Sequence, residues 1–186
     1  MSSKKNQKHD NPTNLTIRSF DLKLLLCDAI VVIIGKRRSG KSYLVREIMS
    51  ILAKKGLSYG KIYSGTEFCN PFYFKFFPSL FISDKFTEDE LGSIIQSQQR
   101  KVKRTAKKLN VADGRTTENN MLLVFDDMLH QDDIWRKSQH FKSIFLNGRH
   151  ANITFYLILQ CVLGIPPGLR ENVDYAFLFA TDGNNL

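Results

Sequence analysis

The sequence predicts an α/β fold with a mostly parallel central sheet flanked by helices, and three observations support this prediction. Short apolar runs typical of buried strands alternate along the chain with segments of helical periodicity. The first of these runs, Ala29 to Ile34, leads directly into Gly35-Lys36-Arg37-Arg38-Ser39-Gly40-Lys41-Ser42, which satisfies the pattern G-x-x-x-x-G-K-[ST] completely. The chain has 186 residues, 42% of them hydrophobic and 24% charged, which is enough to bury one core.

The chain before the loop is expected to divide into a tail and the start of the domain. Residues 1–14 are polar and basic and predict a flexible tail, and residues 15–186 are assigned to one domain that contains this loop. The segment from Leu15 to Phe20 is interpreted as a leading strand. The continuous β-branched run from Ala29 to Ile34 predicts a strand buried on both faces of the sheet.

After the loop, a helix, a second strand and an aromatic segment are expected. Apolar residues recur at helical spacing from Leu44 to Leu52, and Gly56 ends the pattern. The segment from Lys61 to Gly65 reads as a strand, whereas Pro71 to Phe81 predicts irregular packing or a short strand. Two interpretations of its aromatic residues stay open, stacking on nucleic-acid bases and burial in the core or a subunit interface. These residues are Phe72, Tyr73, Phe74, Phe76 and Phe77.

A long helix with a basic second half is predicted next. Thr87 and Glu90 form a capping-box pattern that starts a helical segment reaching about Leu109. The net charge of +9 favours an acidic partner such as nucleic acid. The basic residues could contact a phosphate backbone or form a solvated helix face, and both interpretations stay open. They are Arg100, Lys101, Lys103, Arg104, Lys107 and Lys108, with Arg115 in the following polar loop.

The last third of the chain continues the alternation of strands and helices. Strands are predicted from Met121 to Phe125, from Asn152 to Leu159 and from Tyr175 to Ala180. A helix is predicted from Asp133 to Leu146, and a turn or short helix from Pro166 to Arg170.

The glycine-rich loop has the residues that a polyphosphate site requires. Its two glycines let backbone N–H groups approach phosphates, and the following helix N-terminus adds positive potential. Lys41 is expected to reach the outer phosphates, and Ser42 is expected to ligate Mg²⁺. The whole loop from Gly35 to Ser42 is therefore predicted to bind ATP.

Polar residues at two strand ends are candidates for the rest of the site. Asp126 ends an apolar strand and is expected to be the second Mg²⁺ contact. Asp127 is expected to orient the attacking water, which implies hydrolysis, although it could instead cap the following segment. Gln160 is expected to contact the γ-phosphate or to hold water, the alternative being a polar strand terminus. Arg149 and Arg170 are candidates for stabilising transition-state charge or for structural ion pairs.

Composition excludes several classes of protein. Cys27, Cys69 and Cys161 are scattered without a C-x-x-C pair, which favours a reducing compartment and argues against zinc or a disulfide framework. No apolar stretch approaches the roughly 18 residues of a membrane span, and no hydrophobic segment follows the N-terminal charges as in a secretory signal. A protein without a membrane span is therefore predicted.

The ordered set of motifs resembles the genome-packaging ATPases of large double-stranded DNA viruses, which are poxvirus-type relatives of FtsK and HerA. The resemblance covers about residues 24–179. It is carried by the loop with the motifs Leu122-Leu123-Val124-Phe125-Asp126-Asp127, Asn147-Gly148-Arg149-His150, Leu159-Gln160 and Leu169-Arg170-Glu171-Asn172.

The resemblance implies a RecA-like, additional-strand P-loop fold in which one strand lies between the loop strand and the carboxylate strand. It also implies a homo-oligomeric ring that couples ATP hydrolysis to moving double-stranded DNA into a capsid. Capsid or portal proteins would then be partners, in the host cytoplasm or the virion. Under this resemblance Lys41 and Ser42 bind phosphate and Mg²⁺, Asp126 holds the metal, Asp127 positions water and Gln160 senses the γ-phosphate. Arg149 or Arg170 is then a candidate arginine finger.

Two departures from the family pattern and two alternative functions remain. The wider superfamily commonly has Glu after the metal-binding Asp, whereas this chain has the shorter Asp127. Packaging ATPases also usually continue beyond the fifth predicted strand, whereas this sequence stops soon after it at Asn184-Asn185-Leu186. A small P-loop kinase is the first alternative, in which the region from Arg100 to Arg115 would form a lid. A non-hydrolysing, ATP-dependent assembly scaffold is the second.

Overall fold

A computed structural model describes residues 18–57, 59–128, 137–160 and 165–180. The described residues form six parallel strands, in the order β3-β2-β4-β5-β1-β6 across the sheet. Numbered along the chain, they are β1 Ile30–Ile34, β2 Gly60–Ser64, β3 Ile82–Ser83, β4 Met121–Asp126, β5 Ile153–Leu159 and β6 Tyr175–Leu178. The predicted parallel α/β fold is confirmed.

Helices cover both faces of this sheet. They are α1 Lys41–Lys54, α2 Glu88–Leu109, α3 Gln139–Asn147 and the short α4 Pro167–Arg170. In β1, Ile30, Val32 and Ile34 contribute to the core under α2 and α3, while Val31 and Ile33 contribute to the core under α1. Because successive side chains of a strand point to opposite faces, one continuous apolar run serves both layers.

The strand order identifies the fold subclass. Strand β5 lies between β1, which precedes the glycine-rich loop, and β4, which ends in Asp126. This is the additional-strand arrangement that the resemblance implied. Every residue of β1, β4 and β5 is buried, as expected for central strands, whereas β6 alternates between exposed and half-buried residues at the sheet edge.

The structure corrects two predicted elements, a strand and a helix, and shows which form the aromatic segment takes. No strand includes residues 18–20 of the predicted leading strand, and residues 15–17 lie outside the described residues. Phe20 instead places its ring 5.8 Å from that of Tyr175 in β6, so the segment packs through side chains rather than by strand pairing. The aromatic segment is irregular, and the short strand follows it at Ile82–Ser83. Residues 133–136 of the predicted helix and the tail 1–14 lie outside the described residues. In its described part the predicted helix is interrupted at Ser138, which caps α3 by accepting a hydrogen bond from the Phe141 N–H at 2.8 Å.

Helix α2 starts as predicted and extends beyond the N-terminal edge of the sheet. Thr87 caps it by accepting a hydrogen bond from the Glu90 N–H at 3.1 Å. At Gln98 the helix reaches the N-terminal ends of the central strands, since the Gln98 amide donates to the backbone carbonyls of Asn119 and Asn152. The basic residues from Arg100 to Lys108 therefore lie at that edge or beyond it. All six of their side chains are on exposed residues.

Candidate nucleotide-binding site

The glycine-rich loop is held between the carboxyl ends of two neighbouring strands. Gly35 follows β1 and donates its N–H to the carbonyl of Leu159 at the end of β5, at 3.2 Å. A Cβ atom on Gly35 would lie 2.5 Å from Phe179 Cβ and 2.9 Å from Ser39 Oγ. Only glycine fits this approach, which explains the first glycine of the motif.

The loop enters α1 with its backbone donors available for an anion. Gly40, the second motif glycine, precedes α1 with φ 98°, in the left-handed region that favours glycine. As the N-cap of α1 it supplies no side-chain hydrogen bond to the first helical turn. Amide groups at a helix N-terminus without such a cap form a ready binding site for phosphate.

The side chain of Lys41 is held over the loop by backbone carbonyls of the loop itself. Its ammonium donates to the carbonyl of Gly35 and, at 2.9 Å, to the carbonyl of Lys36. Burial lowers the pKa of Lys41 from its ordinary value, and the negative charges of Asp126 and Asp127 oppose that effect. The nearby carboxylates thus favour the charged form that a phosphate needs.

Asp126 lies at the end of β4 and is only 8% exposed. The hydroxyl of the fully buried Tyr73 donates to its Oδ2 at 2.7 Å. Burial raises the pKa of Asp126 to about 6, against the effect of the Tyr73 hydrogen bond and the Lys41 charge. Sequence reasoning identified the carboxylate, but it missed Tyr73, which is far from Asp126 along the chain.

Asp127 and Gln160 meet because β4 and β5 are neighbours. The Gln160 side-chain amide donates to Asp127 Oδ1 at 2.8 Å. Asp127 has φ 51°, an unusual backbone conformation for a residue other than glycine. Strained conformations of this kind are common at functional sites. The two predicted residues are therefore brought together, and their catalytic roles stay predictions.

A cavity of about 460 Å³ lies between the loop and the segment that follows β2. Ser39, Gly40, Lys41, Ser42 and Asp126 contribute to its walls. Glu67, which lies just after β2, also lines this cavity, and sequence reasoning missed it. The only sequence signal was a carboxylate following a strand. The resemblance implied a strand between β1 and β4 but said nothing of the other neighbour of β4, so the adjacency of β2 and β4 was not predicted.

The residues present are suited to hold Mg²⁺ beside a nucleotide. The Ser42 hydroxyl and the Asp126 carboxylate are hard oxygen ligands lining one cavity. Mg²⁺ retains several waters and binds through one or two carboxylates plus substrate phosphates. Within the described residues, no three His, Cys, Asp or Glu side chains are grouped to hold a metal by themselves.

Neither of the two candidate arginines lines this cavity. Arg149 donates to Asp174 Oδ1 at 2.9 Å. Asp174 in turn accepts from the N–H of Ile30, at the N-terminal end of β1. Arg149 is therefore at the sheet edge opposite the loop, and the structure supports the ion-pair alternative within this chain. Arg170 donates from Nε to the carbonyl of Ile165 at 2.9 Å. A role across a subunit boundary stays a prediction for both.

Other sequence-based alternatives are narrowed by the structure. Tyr73 is buried, and Phe72, Phe74 and Phe77 pack against the core under α1, which favours the core interpretation of the aromatic segment. Arg115 pairs with Asp113 and Asp28, so its charge is balanced locally.

Cys27 and Cys69 are free thiols, and Cys161 lies outside the described residues. In the part of the chain that the structure describes, no helix is both long enough and apolar enough to cross a bilayer.

Solved structures share this fold. The genome packaging NTPase B204 from Sulfolobus turreted icosahedral virus 2, in complex with AMPPCP, superposes with a TM-score of 0.62 at 21% identity, over 86% of this chain and 79% of that one. EssC (ATPases 2 and 3) from Geobacillus thermodenitrificans gives a TM-score of 0.61 at 17% identity, over 85% of this chain and 33% of that one. These likenesses establish a P-loop ATPase fold.

Sequence relatives come from viruses. An uncharacterised protein of Acanthamoeba polyphaga mimivirus is 37% identical over 172 residues, 92% of this chain and 59% of the relative. One from Invertebrate iridescent virus 6 is 36% identical over 158 residues, 84% of this chain and 56% of the relative. The chain thus spans less than two thirds of the length of these relatives. The model of the poxvirus A32 protein family matches residues 18–186, and the chain belongs to that family.

Proposed function

We propose that this chain is an ATP-hydrolysing motor that moves double-stranded DNA, with packaging of a viral genome into a capsid as its biological role. The observation that carries the proposal is the cavity in which the uncapped start of α1 and Lys41 face the buried carboxylate of Asp126. Membership of the A32 family and the fold shared with a packaging NTPase support it.

Different residues of the site have different roles in the proposed hydrolysis. The loop amides and Lys41 bind the phosphates of ATP and offset the negative charge that develops on them. Ser42 and Asp126 would hold Mg²⁺, which would supply positive charge beside the phosphates. Asp127 and Gln160, linked by their 2.8 Å hydrogen bond, orient the water and contact the γ-phosphate.

The proposed DNA contact is the basic half of α2. Its exposed charges lie at the N-terminal edge of the sheet, whereas the nucleotide cavity lies at the carboxyl edge. The length of β4, roughly 20 Å at 3.3 Å per residue, separates the two edges. This placement argues against the kinase alternative, because a lid would have to lie over the nucleotide.

Charge reversal on α2 is expected to weaken DNA binding and to flatten its dependence on salt. Each phosphate contact contributes about −0.9 to the slope of log K against log salt for B-DNA. The variant converts four residues to Glu, namely Arg100, Lys101, Lys103 and Arg104. A matched control converts four exposed lysines outside α2 to Glu, namely Lys23, Lys54, Lys85 and Lys137. Fluorescence anisotropy with a DNA duplex at several salt concentrations measures the slope for the wild type, the variant and the control. If the slope of the α2 variant equals that of the wild type, the basic residues of α2 form a solvated face and do not contact DNA.

Asp127→Asn is expected to lower DNA-stimulated turnover at least tenfold while leaving ATP binding within about twofold. The substitution keeps an acceptor for Gln160 and removes the charge that orients water. Phosphate release is measured with and without double-stranded DNA. Turnover in the variant equal to that of the wild type would remove Asp127 from the mechanism.

The same assay separates the three functions. DNA-stimulated release of phosphate supports the motor, and transfer of phosphate to an added nucleotide supports a kinase. ATP binding without turnover supports the assembly scaffold. Under the motor proposal the chain acts as a homo-oligomeric ring with capsid or portal proteins, in the host cytoplasm or the virion. Arg149 or Arg170 is then the candidate finger from a neighbouring subunit.

A further inference from the structure

Glu67 is a second carboxylate in the nucleotide cavity, and the mechanism above gives it no task. Only 1% of Glu67 is exposed, yet its side chain lines the cavity beside Lys41, Ser42 and Asp126. Burying a carboxylate is costly unless hydrogen bonds or charges compensate it. A carboxylate placed here therefore points to a role in the site.

Glu67 is held firmly through one of its two oxygens. Oε1 accepts hydrogen bonds from the N–H groups of Phe72 at 2.9 Å and of Phe74 at 2.8 Å. Both of these hydrogen bonds end on Oε1, and neither uses Oε2. The carboxylate is thus fixed in orientation while one oxygen stays available to a ligand in the cavity.

Glu67 is also close to the proposed metal ligand. Its charge is among the causes that raise the pKa of Asp126 and of Tyr73. Tyr73 lies between the two residues whose amides bind Glu67, and its hydroxyl contacts Asp126 at 2.7 Å. One short segment therefore links both carboxylates of the cavity.

The other carboxylates are less suited to accept a proton from water. Of the described residues that line the cavity, only Asp126 and Glu67 carry carboxylates. Asp126 is the proposed Mg²⁺ ligand, and a carboxylate bound to a divalent cation is a weak base. Asp127 is bound by the Gln160 amide and is not among the lining residues.

We propose that Glu67 is a catalytic carboxylate that accepts the proton of the attacking water, an inference that rests on the proposed hydrolysis. The water oxygen forms a bond to the γ-phosphorus as the bond from that phosphorus to the β,γ-bridging oxygen breaks. ADP leaves with the bonding electrons. The water proton passes to Glu67 and from there to solvent, so that the products are ADP and inorganic phosphate.

Glu67→Gln tests this role in the full chain. Glutamine keeps an acceptor oxygen for the amides of Phe72 and Phe74 but presents an N–H donor where the second carboxylate oxygen was. We expect turnover to fall at least 100-fold, within the range that general-base catalysis contributes. Binding of a fluorescent ATP analogue is expected to change by less than threefold. Glu118→Gln, an exposed Glu at the far sheet edge, is the charge-matched control.

The outcomes separate this inference from the proposed function. If wild type hydrolyses ATP and Glu67→Gln does so within about twofold, Glu67 acts only by holding the Tyr73 segment and the inference fails. Absence of turnover in the wild type would contradict the hydrolysis proposal and this inference together. If Glu67→Gln unfolds, Glu67→Asp provides the test, because it keeps the base on a shorter arm. Intermediate turnover by Glu67→Asp supports the role, and full turnover contradicts it.

Discussion

Replacement of Lys41 by methionine is expected to lower ATP turnover by about 10²- to 10³-fold or more. Removing one preorganised donor from developing transition-state charge commonly costs that much in kcat. Lys41 lines the nucleotide cavity, and its ammonium is held over the loop by the carbonyls of Gly35 and Lys36. Methionine has a similar length without the charge, so the loss is attributed to the ammonium.

The expected change in stability for Lys41→Met is small. The substitution removes two hydrogen bonds to loop carbonyls, each with a net contribution of about 1 kcal/mol, and it also relieves the burial of a charge. Lys54→Met, at the exposed end of the same helix, is the control. Phosphate release and thermal unfolding are measured for both variants. If Lys41→Met retains more than a tenth of wild-type turnover, the loop is not the hydrolytic site.

Asp126→Asn is expected to abolish turnover and to stabilise the nucleotide-free protein. Asn provides no charge for Mg²⁺, so turnover should fall at least 10²-fold. Because folding raises the pKa of Asp126 to about 6, the folded state binds the proton more tightly than the unfolded state. Stability is therefore lost as the pH rises from about 4 to 6, and the ionised carboxylate costs roughly 2–3 kcal/mol at neutral pH.

A pH series of chemical denaturation without Mg²⁺ or nucleotide tests the second half of this prediction. The variant should be more stable than the wild type at pH 7.5, and the difference should shrink below about pH 5. Asp84→Asn, a change at an exposed residue, is the control. A variant less stable than the wild type at pH 7.5 would mean that the charge of Asp126 is compensated in the folded state. Loss of activity with gain of stability is the usual trade-off at a functional site.

Much of the fold was predictable because its signals are local. A β-branched run, a complete glycine-rich motif and a capping threonine each specify their own element without reference to distant residues. The segment from Arg18 to Phe20 failed as a strand prediction because its aromatic residue is used for packing on β6. A period-two pattern cannot distinguish a paired strand from an extended segment lying on a sheet.

The site was predictable only in part. The loop was identified from its complete motif. Asp126 was identified from its position at a strand end, since ligands in open α/β sheets bind at the carboxyl edge. Tyr73 and Glu67 were missed because they enter the cavity from the irregular segment after β2. Arg149 lies within a motif that resembles the family pattern, yet only the fold shows its pairing with Asp174 at the opposite edge.

The sequence by itself determined that this protein has a complete glycine-rich motif, a strand that ends in a carboxylate and a basic helix, because each is specified by neighbouring residues. The tertiary structure decided which of these face each other. Strand order brings Asp127 to Gln160, and the packing of one irregular segment brings Tyr73 and Glu67 to Asp126. The physical reason is that contacts between distant residues depend on how the elements pack, which no local pattern records.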